Sequence, residues 1–205
     1  VVRVITSYSE LKTSIAGFLH RTDLTSLIPE FIFDGETRIY NDLRIKAMET
    51  AFTATISGGV VAIPSSFLEW KNLYVNSSPI QKLDRKSAEW IYQNYPTRSS
   101  DGTPKYFAQD GANLIFAPYP NSASEIKGTY YKRLAALSDS NTTNWFIENA
   151  PDLLRYAALC ESAPYCRDMQ MVQIWEQKYA EIKQRVQKTD RREAFSGSIL
   201  TVSAG

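Results

Sequence analysis

The chain has 205 residues, 43% hydrophobic and 22% charged, which is enough to bury a real core and too apolar for a disordered tail. Its 23 Lys and Arg against 22 Asp and Glu leave a formal net charge of +1, so no global electrostatic pull draws it to nucleic acid or an anionic membrane. One His, His20, and two cysteines, Cys160 and Cys166, supply neither a zinc ligand set nor a disulfide framework, and both thiols read as reduced and structural.

In chain order, Ser7-Tyr8-Ser9-Glu10 has capping-box spacing, and Leu11, Ile15, Phe18 and Leu19 fall on one face of the helix it opens. After a break at Arg21-Thr22-Asp23, Pro29 suits the first turn of a longer helix with Phe31, Ile32, Gly35, Ile39 and Leu43 inward. Asp34 and Arg38 sit at a supportive spacing of four on it. Helical character covers residues 7–48, and strand character covers 51 to about 133. Phe52, Ala54 and Ile56 alternate with Thr53 and Thr55, Gly58-Gly59 turns the chain into 60–63, and Pro64 stops that strand. Residues 73–75 and 80–83 flank the turn Asn76-Ser77-Ser78-Pro79, and Asp84 is placed to cap a short helix of Ala88, Ile91 and Tyr92. The clearest hairpin joins 106–109 to 113–117 through Asp110-Gly111, with 129–132 as a further strand.

A polar loop from Leu137 to Asn144 then leads to Asn149-Ala150-Pro151, where Asn149 can cap a helix and Pro151 sits in its first turn. Residues 151–188 read as helical. Val172, Trp175, Tyr179, Ile182 and Val186, spaced three, four, three and four apart, form a seam for the protein's own bundle or for a neighbouring subunit. Beyond it a charged start, 189–193, precedes Phe195, Ile199, Leu200 and Val202, apolar groups without a core of their own that suit docking on a partner. The layout predicts a mainly helical α+β fold. An antiparallel helix bundle is built from 1–50 and 134–189, a small antiparallel β lobe is inserted over 51–133, and an extended partner-binding tail covers 190–205.

A search for catalytic chemistry finds little. A single His disfavours most Ser-His and Cys-His arrangements, no glycine loop of phosphate-binding type is present, and no acidic metal cluster stands out. Glu30, Asp34 and Glu36 lie close together on the second helix, but they alternate with Arg38 and read as a solvated face rather than a glycosidase pair. The 12 Tyr and 4 Trp invite a stacking site, yet residues such as Trp175 and Tyr179 fall on core-like positions. The expectation is a non-enzyme with no cofactor and no metal. The apolar runs are short of a membrane span and no apolar signal core opens the chain, so a soluble product made in a cytoplasm is expected, where the sequons at Asn76 and Asn141 carry no weight.

Several stretches carry a resemblance: Ile5-Thr6-Ser7-Tyr8-Ser9-Glu10-Leu11, Leu19-His20-Arg21-Thr22-Asp23-Leu24, the Leu137 to Asn144 loop with Trp145, Ala150-Pro151-Asp152-Leu153, and Asp190-Arg191-Arg192 with Phe195-Ser196-Gly197. In this order, over nearly the whole chain, they resemble the head-to-tail adaptor (head completion, or connector) proteins of short-tailed bacteriophages. The resemblance implies a structural virion protein, assembled in the host bacterial cytoplasm as a dodecameric ring beneath the portal, joining capsid to tail and leaving a channel for DNA. The implied partners are the portal protein, a tail nozzle or tail tube protein, further copies of the chain and DNA passing without sequence preference, with no membrane. It also implies that Arg191, Arg192, Phe195, Ser196, Ile199, Leu200 and Val202 bind the portal, while Trp70, Ser77 and Tyr119 face the tail or adjacent subunits. The alternative is a soluble ligand-binding module whose β lobe holds an aromatic pocket for a glycan or a nucleic-acid base.

Overall fold

The computed structural model describes residues 5–97, 102–120, 123–165 and 169–195. Their elements, in order, are α1 (Tyr8–Leu19), α2 (Ile28–Asp42), β1 (Glu49–Thr55), β2 (Val60–Ala62), β3 (Phe67–Val75), β4 (Gln81–Lys82), β5 (Asp84–Arg85), α3 (Ala88–Asn94), β6 (Tyr106–Asp110), β7 (Asn113–Ala117), β8 (Glu125–Lys132), α4 (Trp145–Asn149), α5 (Pro151–Glu161) and α6 (Met169–Phe195). Short 3-10 turns lie at Thr25–Leu27, Lys46–Met48 and Ala163–Tyr165. The chain divides into two compact units, one made of the residues up to Ala47 and from Leu134 onward, the other of Met48–Arg133.

In the first unit, α1 begins because Ser7 Oγ accepts the Glu10 N–H at 3.3 Å. The Glu10 carboxylate reaches back one residue further than a capping box requires, accepting from both the backbone N–H and the hydroxyl of Thr6 at 2.7 Å. Pro29 occupies the first turn of α2, where its missing N–H costs nothing. α5 is the hub, contacting α1, α2 and α6, and Leu153, Leu154, Ala157, Ala158 and Leu159 on it are all buried. It approaches α2 closely at Gly35, where a Cβ would stand 2.8 Å from the Ala158 backbone nitrogen. α6 covers the rest with Trp175, Tyr179, Ile182 and Val186 buried and Val172 half-buried. Each such large apolar side chain contributes roughly 1.5–3 kcal/mol on leaving water.

The second unit holds two four-stranded sheets, ordered β1-β8-β3-β4 and β2-β7-β6-β5. Phe52, Leu73, Val75, Ile126 and Tyr130 of one share a core with Val61, Phe107, Leu114 and Phe116 of the other. Strand β7 is buried on both faces: Leu114 and Phe116 enter that shared core, whereas Ile115 and Ala117 meet α3 through Ile91. The β6–β7 hairpin turns on Gly111, whose φ of +59° lies in the left-handed region that Asp-Gly turns exploit.

The structure corrects several expectations. The described residues are 47% helical and 23% strand, a mixed fold rather than a mainly helical one, because the sheets enclose a core of their own. The β region is not wholly antiparallel, since β5 pairs with β6 in parallel. Gly58-Gly59 makes the expected turn, with both glycines at positive φ between the mutually hydrogen-bonded Ser57 and Val60, but the strands on either side of it part. β1 pairs along its length with β8, and β2 joins β7 in the other sheet, leaving one bridge between Ser57 and Val60. Ser87, not Asp84, caps α3, and Asp84 lies in β5. Asn149 does not cap α5. It ends α4, donating its amide to Trp145 O at 2.9 Å, and Ala150 precedes α5 without a side-chain cap. The helix expected over 151–188 is two helices, and α6 runs on to Phe195, so residues 190–195 are helical rather than the start of an extended tail.

Two substitutions test this packing. Helix propensity alone would make Gly35→Ala stabilising by about 1 kcal/mol. The Ala158 backbone cannot yield as a flexible side chain would, so the variant is expected to lose about 1–3 kcal/mol in urea unfolding. Trp175→Ala should cost about 3–5 kcal/mol by the same measurement, as large-to-small core changes do, and a loss below about 1 kcal/mol would show that α6 is not anchored there.

Candidate functional site

Within the first unit the residues that follow its re-entry at Leu134 are held by a buried carboxylate. Glu36, only 2% exposed, accepts the Leu137 N–H at 3.3 Å and an Asn144 amide N–H at 3.0 Å. Asn144 Oδ1 at the same time accepts from Phe146 N at 3.1 Å and Ile147 N at 3.2 Å, which starts α4. The loop is pinned from α1 as well, by Tyr8 N donating to Thr142 O at 2.8 Å and Lys12 Nζ donating to Asp139 at 2.6 Å. Internally, Asn141 Nδ2 donates to Ala136 O at 2.8 Å and Asn141 N to Ser138 Oγ at 3.0 Å. The expected solvated face of Glu30, Asp34 and Glu36 is therefore corrected: Glu30 and Asp34 are exposed, and Glu36 is buried. Burial pushes the Glu36 carboxyl up to about 7, with the Leu137 and Asn144 donors pulling the other way.

A second polar ladder joins α2 to α5 and α6. Arg38 does not answer Asp34; its guanidinium donates to Glu161 at 3.1 Å and to Glu176 at 2.6 Å, and lies 4.7 Å above the Tyr179 ring. Burial opposes the Arg38 charge, but the Glu176 and Glu161 hydrogen bonds more than compensate and hold it protonated. Asp42 accepts from the Tyr179 hydroxyl and from Lys183 Nζ, both at 2.9 Å. Burial works to raise the Asp42 carboxyl, and the Lys183 and Tyr179 donors outweigh it, so its pKa is lowered overall. Burial, seconded by Asp42, raises Tyr179. Burial and Glu176 push the Cys160 thiol up to about 12, so it carries no thiolate at neutral pH. Cys166 lies outside the described residues. The ladder positions helices; it presents no nucleophile and base in hydrogen-bonding reach of an open cleft.

The far end of α6 is tied to the backbone beyond α2, where Lys46 N donates to Asp190 at 2.7 Å. Trp145, Asn149, Val186, Thr189 and Glu193 line a groove of about 190 Å³ beside it. Arg191 and Arg192 are exposed on the last turns, Phe195 ends the helix, and Ser196, Ile199, Leu200 and Val202 lie outside the described residues. In the second unit Trp70 is half-buried, its ring centroid 4.9 Å from Phe52, 4.7 Å from Phe67 and 5.6 Å from Tyr130. Its indole N–H is shielded from solvent with no hydrogen-bond partner among the described residues. The Tyr119 ring lies over Gly59, in space a Cβ there would claim. Ser77 is exposed in the β3–β4 loop, its hydroxyl donating to Pro79 O at 2.7 Å, and Ile80 beside it is 65% exposed. Trp70 and Tyr119 are thus engaged in packing, and Ser77 with Ile80 is open to a partner. Ile80 and the 59% exposed Phe33 are surface groups the sequence reading missed, although each is an apolar residue beside polar ones.

Among the described residues no group of three or more His, Cys, Asp and Glu could hold a metal ion, and no helix is long and apolar enough to cross a membrane. The model of one protein family, described as SU10 adaptor protein, matches residues 6–202, spanning both units. No curated protein matches the chain.

Glu36 gives the unit a pH dependence of defined sign. The native chain holds this proton up to about pH 7 whereas the unfolded chain releases it near 4.5, so the native state binds more protons between these values. The stability contributed by protonated Glu36 is full below pH 4.5 and lost as pH rises to about 7. Thermal melts from pH 5 to 8 should show wild type losing about 1–3 kcal/mol relative to Glu36→Gln, which carries no titrating carboxyl. Parallel curves for the two proteins would show that the carboxyl is not buried as described.

Proposed function

Since the chain belongs to the SU10 adaptor protein family, a family of phage head-to-tail adaptors, we propose that it is the ring subunit that joins capsid to tail in its virion. The observation that carries this reading is the extent of the family match, which runs through both units and on past the end of α6. A ring subunit needs rigid faces for copies of itself and separate surfaces for the partners above and below, and it needs no active site. The Glu36 and Arg38 networks supply rigidity, and the exposed groups of each unit supply surfaces.

Twelve copies sit beneath the portal, with DNA passing through the channel. Portal binding falls to residues 190–205. It begins on the last helical turns with Arg191, Arg192 and Phe195 and continues through Ser196, Ile199, Leu200 and Val202. The second unit turns the Ser77 and Ile80 loop toward the tail nozzle or tube, with Trp70 and Tyr119 supporting the sheets behind it. With a net charge of +1, each subunit lets DNA slide past with weak, non-specific contact. A glycan or base pocket is less well supported, because Phe52, Phe67, Trp70 and Tyr130 turn their rings on one another.

Electron microscopy of the chain mixed with its cognate portal should show an added ring on one portal face, and portals without it would reject the assignment. A chain truncated after Phe195 keeps every described element, so its thermal midpoint should match the intact protein while its co-sedimentation with portal is lost. Equal pelleting of both chains would mean that the segment after α6 is not the anchor.

A further inference from the structure

Two exposed faces of the first unit are opposite in charge and each carries an exposed aromatic ring, and they lie on different sides of α5. One is the outer face of α2, where Phe33 is 59% exposed with Glu30 one turn before it and Asp34 beside it. Both carboxylates are exposed, and among the described residues neither has a cation for a partner. The other lies where α1, α5 and α6 meet. Phe18, 38% exposed, stands edge-on to Tyr156 at 6.2 Å, with the Arg155 guanidinium 5.0 and 5.2 Å from the two rings. The Arg155 Nε is screened from solvent and unpartnered among the described residues. On α6 this face continues with Ile174, 48% exposed, then Lys178, Arg185 and Lys188. Among the described residues the only carboxylates paired with Arg155, Lys178, Arg185 and Lys188 are Asp152 and Glu181, and Asp152 is already shared, 2.7 Å from Arg155 and 4.0 Å from Arg185.

Helix geometry keeps the two faces apart. Ala158 looks toward Gly35 of α2, and Tyr156, two residues earlier, points about 160° round the α5 axis. A subunit with different complementary patches on different sides associates head to tail, and such contacts build a ring when the rotation between copies closes. We infer that the α2 face of one copy, Phe33 with Glu30 and Asp34, seats on the Phe18–Tyr156 face of the next, with its carboxylates on Arg185 and Lys188. The aromatic contact supplies the desolvated centre and the ion pairs set register. This rests on the ring reading above and adds the surfaces that make the ring.

The test uses two full-length double variants, Glu30→Lys with Asp34→Lys, and Arg185→Glu with Lys188→Glu, with cognate portal under the electron microscope. All four positions are exposed, so thermal midpoints should stay near wild type. Each variant alone should lose ring density at least tenfold relative to wild type. An equal mixture should recover it, because copies that alternate around an even-numbered ring restore opposite charges at every contact. Rings formed by either variant alone as well as by wild type would overturn the face assignment, and so would loss in both without recovery in the mixture. If wild type itself forms no ring on the portal, the ring reading fails instead.

Discussion

The hydrogen bonds that the Glu36 carboxylate accepts from Leu137 and Asn144 set the register on which the first unit depends. That unit is interrupted in sequence after Ala47 and resumes at Leu134, so something must define where the returning chain lands. A buried carboxylate is costly when left without donors, and the observed placement of the loop supplies both a backbone N–H and a side-chain amide. The same Asn144 that answers Glu36 starts α4, and the same loop holds the first turn of α1 through Thr142 and Tyr8. One polar group thereby sets the relation of three helical segments.

Apolar packing then fixes what the polar contacts have positioned. Gly35 lets α2 come close enough to α5 that their backbones nearly touch, and the Arg38 and Asp42 networks lock α6 across the pair. These networks satisfy themselves internally. The groups that they leave over are exposed: Phe33 beside Glu30 and Asp34, which pair with no cation among the described residues, the aromatic and cationic corner around Tyr156, and Ile80 at a loop tip.

Local chemistry was legible in the residues. Ser7 before Glu10, Pro29 before an apolar-periodic run and Asp110-Gly111 between alternating strands each act over a few positions, and the structure has the corresponding helix starts and hairpin. The family too was legible, from short stretches in a characteristic order. What was illegible depends on distant partners. Glu30, Asp34 and Glu36 look alike in sequence, and only a loop about a hundred residues away makes one of them a buried anchor. Gly58-Gly59 announces a turn, but the neighbour of the preceding strand is β8, which arrives some seventy residues later. Asp190 looked like the start of a tail because its helical role is completed by a contact to Lys46. The candidate surfaces were harder still, since Trp70 and Tyr119 resemble exposed anchors until their aromatic and glycine neighbours are known.

The Lys46–Asp190 hydrogen bond has a mechanical consequence. α6 is a single helix of 27 residues, stiff along its axis, and its last turns are fastened to the backbone just before the chain leaves for the second unit. A pull on the end of α6 is thus delivered in shear both to the long apolar seam beneath it and to the exit of the chain at Lys46. Bonds loaded in shear share the force and yield together rather than one at a time, so the last turns of α6 resist being peeled from the unit one by one.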